Sequence, residues 1–148
     1  MVTTEPTAPT LGASKAEQEA GRVRGENARS VMEIEGKRIA ALVGDGFEES
    51  ELIEPRRALE EAGAIVTIVG VDDRALQKIR GKRGLDEGQS VKAEELVADV
   101  TADDFDALLI PGGQSPDHIR TNKDVQRFVK EFDQAKKPMF VICNGPQV

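Results

Sequence analysis

From Lys37 onward, short runs of large apolar residues alternate with stretches of helical periodicity, and this alternation constrains the fold more than any other feature of the chain. Residues 38–43 are an apolar run ended by Gly44, Asp45 and Gly46, which reads as a buried strand and its turn. Residues 50–62 follow as a helix with Leu52, Leu59 and Ala62 on one face and Gly63 just past its end. Pro55 lies inside that stretch, so the helix is expected to start near Glu54 or to kink there. Residues 65–69 make a second buried strand. Strand, helix and strand at this spacing form a βαβ unit with parallel strands.

Residues 72–100 are less regular, and a hairpin or short extra strands at the sheet edge are expected there. The basic cluster of Lys78, Arg80, Lys82 and Arg83 reads as a solvated turn. Residues 106–110 are a third strand, closed by Pro111, Gly112 and Gly113, and a short helix starts at Pro116. The clearest helix spans 124–135, where Val125, Phe128, Val129 and Phe132 fall at i, i+3, i+4 and i+7. Lys136 and Lys137 stand at its negative end, and Pro138 stops it. Residues 139–142 are a fourth strand, with Cys143 directly after it. The order implies an α/β fold, an open parallel sheet with helices on both faces. Residues 1–36 carry few large apolar residues and no aromatic, so they read as a disordered or weakly helical tail ahead of a domain spanning 37–148.

Charge and composition narrow the function classes. The net charge is −7, from 20 Lys and Arg against 27 Asp and Glu, and an acidic chain repels phosphate backbones, so no nucleic acid is expected as partner. No apolar run has the length to cross a bilayer, so no membrane span is expected, and the first residues lack the basic and apolar regions of a signal peptide. One cysteine permits neither an intrachain disulfide nor a cysteine cage for a metal, and it fits a reducing compartment, the cytoplasm. No metal and no cofactor are expected. With five Phe and no Trp or Tyr there is little to stack a flavin, and the first loop lacks the features of a phosphoacceptor module.

Ligands of open parallel sheets bind at the carboxyl ends of the strands. Three unusual sequences fall on that edge: residues 44–51 after the first strand, Pro111-Gly112-Gly113 after the third, and Cys143-Asn144-Gly145-Pro146 after the fourth. Cys143 is placed like a nucleophile on a tight strand-to-helix elbow, although a buried, inert thiol is an equal reading on position alone. Glu48 and Glu49 suit a helix N-terminus through the macrodipole. Glu51 is different if it turns toward Cys143. A charged carboxylate would repel a thiolate, so an active pair needs a protonated Glu51 that donates to the sulfur. Gly112 and Gly113 are either a turn needing positive φ or part of an oxyanion hole, with the N–H of Asn144 as a further donor. His118, the single histidine, is a minor candidate for a general base.

Residues 45–55 (DGFEESELIEP), 109–113 (LIPGG) and 141–147 (VICNGPQ) together resemble the ThiJ/PfpI family, part of the class I glutamine amidotransferase-like superfamily, and most closely its PfpI-like branch. The resemblance covers residues 37–148. It implies a flavodoxin-like sandwich that assembles as a homo-oligomer. Members are described as intracellular peptidases, stress proteins, and glyoxalases or deglycases acting on small carbonyl compounds or damaged proteins. It matches Cys143 to the nucleophile, Glu51 to the acid beside it, Glu48 to a further acid of the pocket, and Gly112 and Gly113 to the oxyanion turn. Two departures stand out. The branch usually carries His after the nucleophile, and Asn144 cannot take a proton near neutral pH, a loss of about 10²–10⁴-fold in rate without a substitute. The family also continues past the position of Val148 with an elbow helix and further strands. The resemblance therefore implies a sheet incomplete at the C-terminus, truncated or completed by a partner. A non-catalytic stress or redox-sensing protein on the same scaffold is the alternative reading.

Overall fold

Alternate residues of the first apolar run serve two different cores. Ile39, Ala41 and Val43 join one buried cluster, Ala40 and Leu42 the other, as the two-residue period of a strand buried on both faces requires. The computed structural model describes residues 34–142, ordered as β1 (Arg38–Leu42), β2 (Phe47–Glu48), α1 (Glu49–Glu61), β3 (Ile65–Gly70), β4 (Gly81–Arg83), β5 (Asp86–Glu87), β6 (Glu95–Leu96), β7 (Ala107–Ile110), α2 (Ser115–Ile119), α3 (Lys123–Gln134) and β8 (Met139–Val141). Single 3₁₀ turns occupy Asp73–Leu76, Val97–Asp99 and Ala102–Asp104.

The main sheet has the order β6-β3-β1-β7-β8, and all four pairings are parallel. Its centre is pinned by Ile39, opposite Val66 on one side and Ala107 on the other. On one face, Leu52 and Leu59 of α1 pack on Ile39, Ala41 and Leu109. On the other, Val125, Phe128 and Phe132 of α3 pack on Leu42, Leu108 and Phe105. Phe105, Phe128 and Phe132 stack edge to face, with ring centroids 6.0 and 5.0 Å apart. The flavodoxin-like arrangement with helices on both faces is thus present. Because β1 leads through α1 to β3 on one side while β7 lies on its other side, the topological switch falls between β1 and β7.

Three details differ from the sequence expectations. The helix begins at Glu49, not Glu54, so Pro55 stands in its second turn and withholds the N–H that would reach back to the Glu51 carbonyl. Packing of Leu52 and Leu59 outweighs that local cost. The irregular segment does supply both a hairpin and an edge strand, but they part company: β6 extends the main sheet beside β3, whereas β4 and β5 join β2 in a separate three-stranded sheet. Lys137, at the end of α3, sends its ammonium to the carbonyls of Ala102 and Phe105, at 2.7 and 2.8 Å, rather than to the helix's own last turn.

The expected N-terminal tail lies largely outside the described residues. Ile34, where description begins, already packs against the α1-side core, and the Gly36 N–H donates to the Gly63 carbonyl at 2.9 Å. No helix among the described residues is long and apolar enough to cross a membrane.

Candidate functional site

Two of the three turns singled out in the sequence, residues 44–51 and Pro111–Gly113, meet at the carboxyl edge of the sheet, and their backbones are cross-linked. After β1, the Gly44 N–H donates to the hydroxyl of Ser115 at 2.7 Å, in a fully buried contact that ties this loop to the start of α2. The Gly46 carbonyl accepts from the Gln114 N–H at 2.8 Å, and the Glu48 N–H donates to the Gly112 carbonyl at 3.2 Å. Phe47, fully buried, forms an antiparallel bridge with Gly113. Gly113 has φ +84°, and a side chain there would run into the backbone of residues 46–48, so both conformation and space demand glycine.

Glu51 occupies the middle of this arrangement. In the first turn of α1 it points to the end of β7, where Oε2 accepts the Gly112 N–H at 2.7 Å, across 61 residues of chain. The structure therefore brings Glu51, Gly112 and Gly113 together at the switch point. It also gives Glu51 a task that the sequence did not suggest, because one N–H of the expected oxyanion turn is held by the carboxylate.

β8 runs beside β7, and beyond Val141 the Ile142 N–H still donates to the Ile110 carbonyl at 3.1 Å. The strand thus reaches the Pro111–Gly112 turn. Cys143 and Asn144 come next in sequence but lie outside the described residues.

Glu48 and Glu49 do separate work. The Glu48 carboxylate accepts the Gly84 N–H, at 3.1 and 3.2 Å to its two oxygens, and so holds the tip of the β4–β5 hairpin. Glu49 Oε2 is buried without a hydrogen-bond donor and faces the Arg83 guanidinium at 3.3 Å. Together they fasten the hairpin to the start of the helix that carries Glu51. Arg83 of the basic cluster is thereby an ion-pair partner, while Arg80 contributes its backbone, donating its N–H to Asp45 Oδ1 at 2.9 Å and accepting from Gly46.

His118 is exposed on α2 and lines two clefts of about 240 and 500 Å³ with Asp45 and Lys78. Neither cleft includes Glu51, Gly112 or Gly113, so the imidazole is not grouped with them. Ser115 was missed in the sequence reading. The available signal was a serine just after the Gly-Gly turn and just before a proline, a helix-start pattern. Among the described residues, no three or more His, Asp or Glu side chains converge as metal ligands.

An open parallel sheet with an acid and a Gly-Gly turn at its switch point defines an α/β protein of the flavodoxin-like class. The chain belongs to the DJ-1/PfpI family, whose model matches residues 37–148. It is 47% identical over 112 residues to Putative cysteine protease YraA of Bacillus subtilis, covering 76% of this chain and 63% of that protein. Similarity to General stress protein 18 of the same organism is 42% over 113 residues, with the same coverage. Protein/nucleic acid deglycase 2 of Escherichia coli is 38% identical over 112 residues, covering 76% of this chain and 62% of that one. Among solved structures, the chain resembles a two-domain Anabaena variabilis protein with DJ-1/ThiJ/PfpI-like and ferritin-like domains. The TM-score is 0.68 and the identity 36%, over 75% of this chain and 30% of that one. The chain spans somewhat under two thirds of the curated relatives it matches.

Proposed function

We infer that this protein is a stress-response protein of the cysteine-dependent hydrolase, deglycase or glyoxalase type, acting on small carbonyl compounds or on proteins damaged by them. The observation that carries the reading is the Glu51–Gly112 contact at 2.7 Å, beside the end of the strand that leads into Cys143. Relatives named as a cysteine protease, a stress protein and a deglycase support the same class. In this reading the Cys143 thiolate adds to an aldehyde or acyl carbon, giving a hemithioacetal or, with loss of a leaving group, a thioester. The electron pair displaced onto the carbonyl oxygen is stabilised by the Asn144 N–H, while the Gly112 N–H stays with Glu51. Glu51 is the acid beside the sulfur, and its grip on Gly112 fixes the turn.

Asn144 favours a second reading, a scaffold or redox sensor without turnover, because an amide offers no general base at that position. One experiment separates the two. Methylglyoxal consumption is measured for the wild type, Cys143→Ser and Asn144→His. The hydrolase reading predicts slow turnover that Cys143→Ser abolishes and Asn144→His raises by about 10²-fold or more. Turnover that survives Cys143→Ser eliminates it. No turnover in either the wild type or Asn144→His, together with sulfenic acid formation at Cys143 under peroxide, establishes the sensor instead.

A further inference from the structure

Phe47 stands between two glycines, one in the turn of the site and one in the hairpin. Its backbone bridges Gly113 on one side and pairs with Gly81 of β4 on the other. The ring is fully buried, in the cluster that also holds Leu52 of α1, Ile79 and Leu109 of β7. A Cβ on Gly81 would stand 2.8 Å from the ring Cζ, and one on Gly113 would meet the backbone of residues 46–48. Both neighbours approach closely because neither has a side chain, so the ring sets how β2 sits in the core.

The turn at residues 112–114 takes its position from the chain on either side of Phe47. The Gly112 N–H donates to Glu51 at 2.7 Å, and the Gly112 carbonyl accepts from the Glu48 N–H at 3.2 Å. The Gln114 N–H donates to the Gly46 carbonyl at 2.8 Å. On the hairpin side, the Gly46 N–H donates to the Arg80 carbonyl, also at 2.8 Å. Residues 112–114 therefore continue the β5-β4-β2 sheet by one more backbone segment. Two glycines in succession have no side chain to lock their peptides and a wide choice of conformations. Their orientation is imposed by the neighbouring segment, and the one large buried side chain of that segment is Phe47.

We propose that Phe47 is a positioning residue of the site: its ring holds β2 at the spacing at which the Gly112 N–H meets Glu51, and so fixes the carboxyl group for its part in the reaction. The consequence for rate rests on the carbonyl chemistry inferred above; the consequence for the Gly112 N–H does not.

Two measurements on the full chain test this: amide exchange at Gly112, resolved by NMR and taken relative to the amides of β1, and kcat and KM for methylglyoxal. Phe47→Leu leaves a gap under β2 and should raise the relative exchange at Gly112 by about tenfold. It should lower kcat by about tenfold with KM held within about twofold, since the acid is misplaced rather than the substrate released. Phe47→Met keeps most of the volume, tests the same site if Phe47→Leu fails to fold, and should recover part of both losses. Phe128→Leu thins the other core, where Phe128 is also fully buried, and reports loss of stability alone. It should speed exchange at Gly112 and in β1 together, leaving their ratio and kcat unchanged. A ratio that stays at the wild-type value in both Phe47 variants overturns the proposal, and so does a ratio that rises as far in Phe128→Leu. A wild type that consumes no methylglyoxal refutes the inferred reaction instead, and the exchange ratio then decides the role of Phe47 by itself.

Discussion

Glu51 combines two demands that separate substitutions can pull apart. Its carboxyl group accepts the Gly112 N–H in a partly buried setting, and a buried N–H left without an acceptor costs about 1–3 kcal/mol. Glu51→Ala is expected to cost a sum of that order in urea denaturation. Glu51→Gln keeps an oxygen to accept the N–H and should cost less than half as much, yet it removes the acid. If the site works as inferred, Glu51→Gln loses carbonyl turnover while remaining nearly as stable as the wild type. Equal stability losses for the two variants would mean that charge, not hydrogen-bond acceptance, holds the turn. Ser115 gives a purely structural counterpart. Ser115→Ala strands the buried Gly44 N–H, a penalty of about 1–3 kcal/mol, and has no acid to remove. A melting temperature unchanged in Ser115→Ala would show that water replaces the hydroxyl. At this scale the sequence singled out Glu51 and Gly112, passed over Ser115, and was silent about whom each of them touches. Glu51 and Gly112 are 61 residues apart, and Ser115 and Gly44 are 71 apart, distances at which no local pattern speaks.

Elements with one strong period were legible. The apolar runs of β1, β3 and β7 and the stripe of Val125, Phe128 and Phe132 on α3 each announce their type, because burial on one or both faces writes the period directly. Residues 72–100 were legible as a hairpin and edge strand but not in their partners, because these rest on nonlocal pairing: β4 lies parallel to β2, and Gly81 passes so close to Phe47 that a side chain would collide with the ring. Pro55 misled for a related reason, since tertiary packing of α1 overrides a local penalty. The β4–β5 hairpin is held to α1 by Glu48 and by the Glu49–Arg83 pair. Arg83 is 70% exposed, so that ion pair contributes little, and the bond from Gly84 to Glu48 is the stronger tie. Glu48→Ala should therefore speed amide exchange at Gly84 and across the hairpin severalfold, with α3 unaffected. Exchange that stays at the wild-type rate would locate the hairpin's stability in Phe47 packing alone.

The whole molecule presents a question of charge that neither residue nor element settles. Its net charge is −7, yet Lys78, Arg80, Lys82 and Arg83 gather on one side, the pattern that elsewhere grips phosphate backbones. In the fold this cluster does not stand alone. The 500 Å³ cleft that holds Lys78, Arg80 and Lys82 also holds Asp45, Asp86 and Glu87, and Glu49 faces Arg83. The cations have carboxylates beside them, and the chain as a whole is acidic. A protein that neutralises several phosphates releases their counterions and shows a steep salt dependence. Here no such gain is available, so the protein should not shift duplex DNA in an electrophoretic assay at about 0.1 M salt, where the screening length is about 10 Å. Replacing Asp86 and Glu87 by Asn and Gln leaves the basic cluster with fewer local counter-charges. Weak, salt-sensitive binding should then emerge and vanish as salt rises. Binding by the wild type that resists salt would show that the local balance is not what governs the surface, and that a phosphate-bearing partner must be added to the carbonyl substrates inferred for the site.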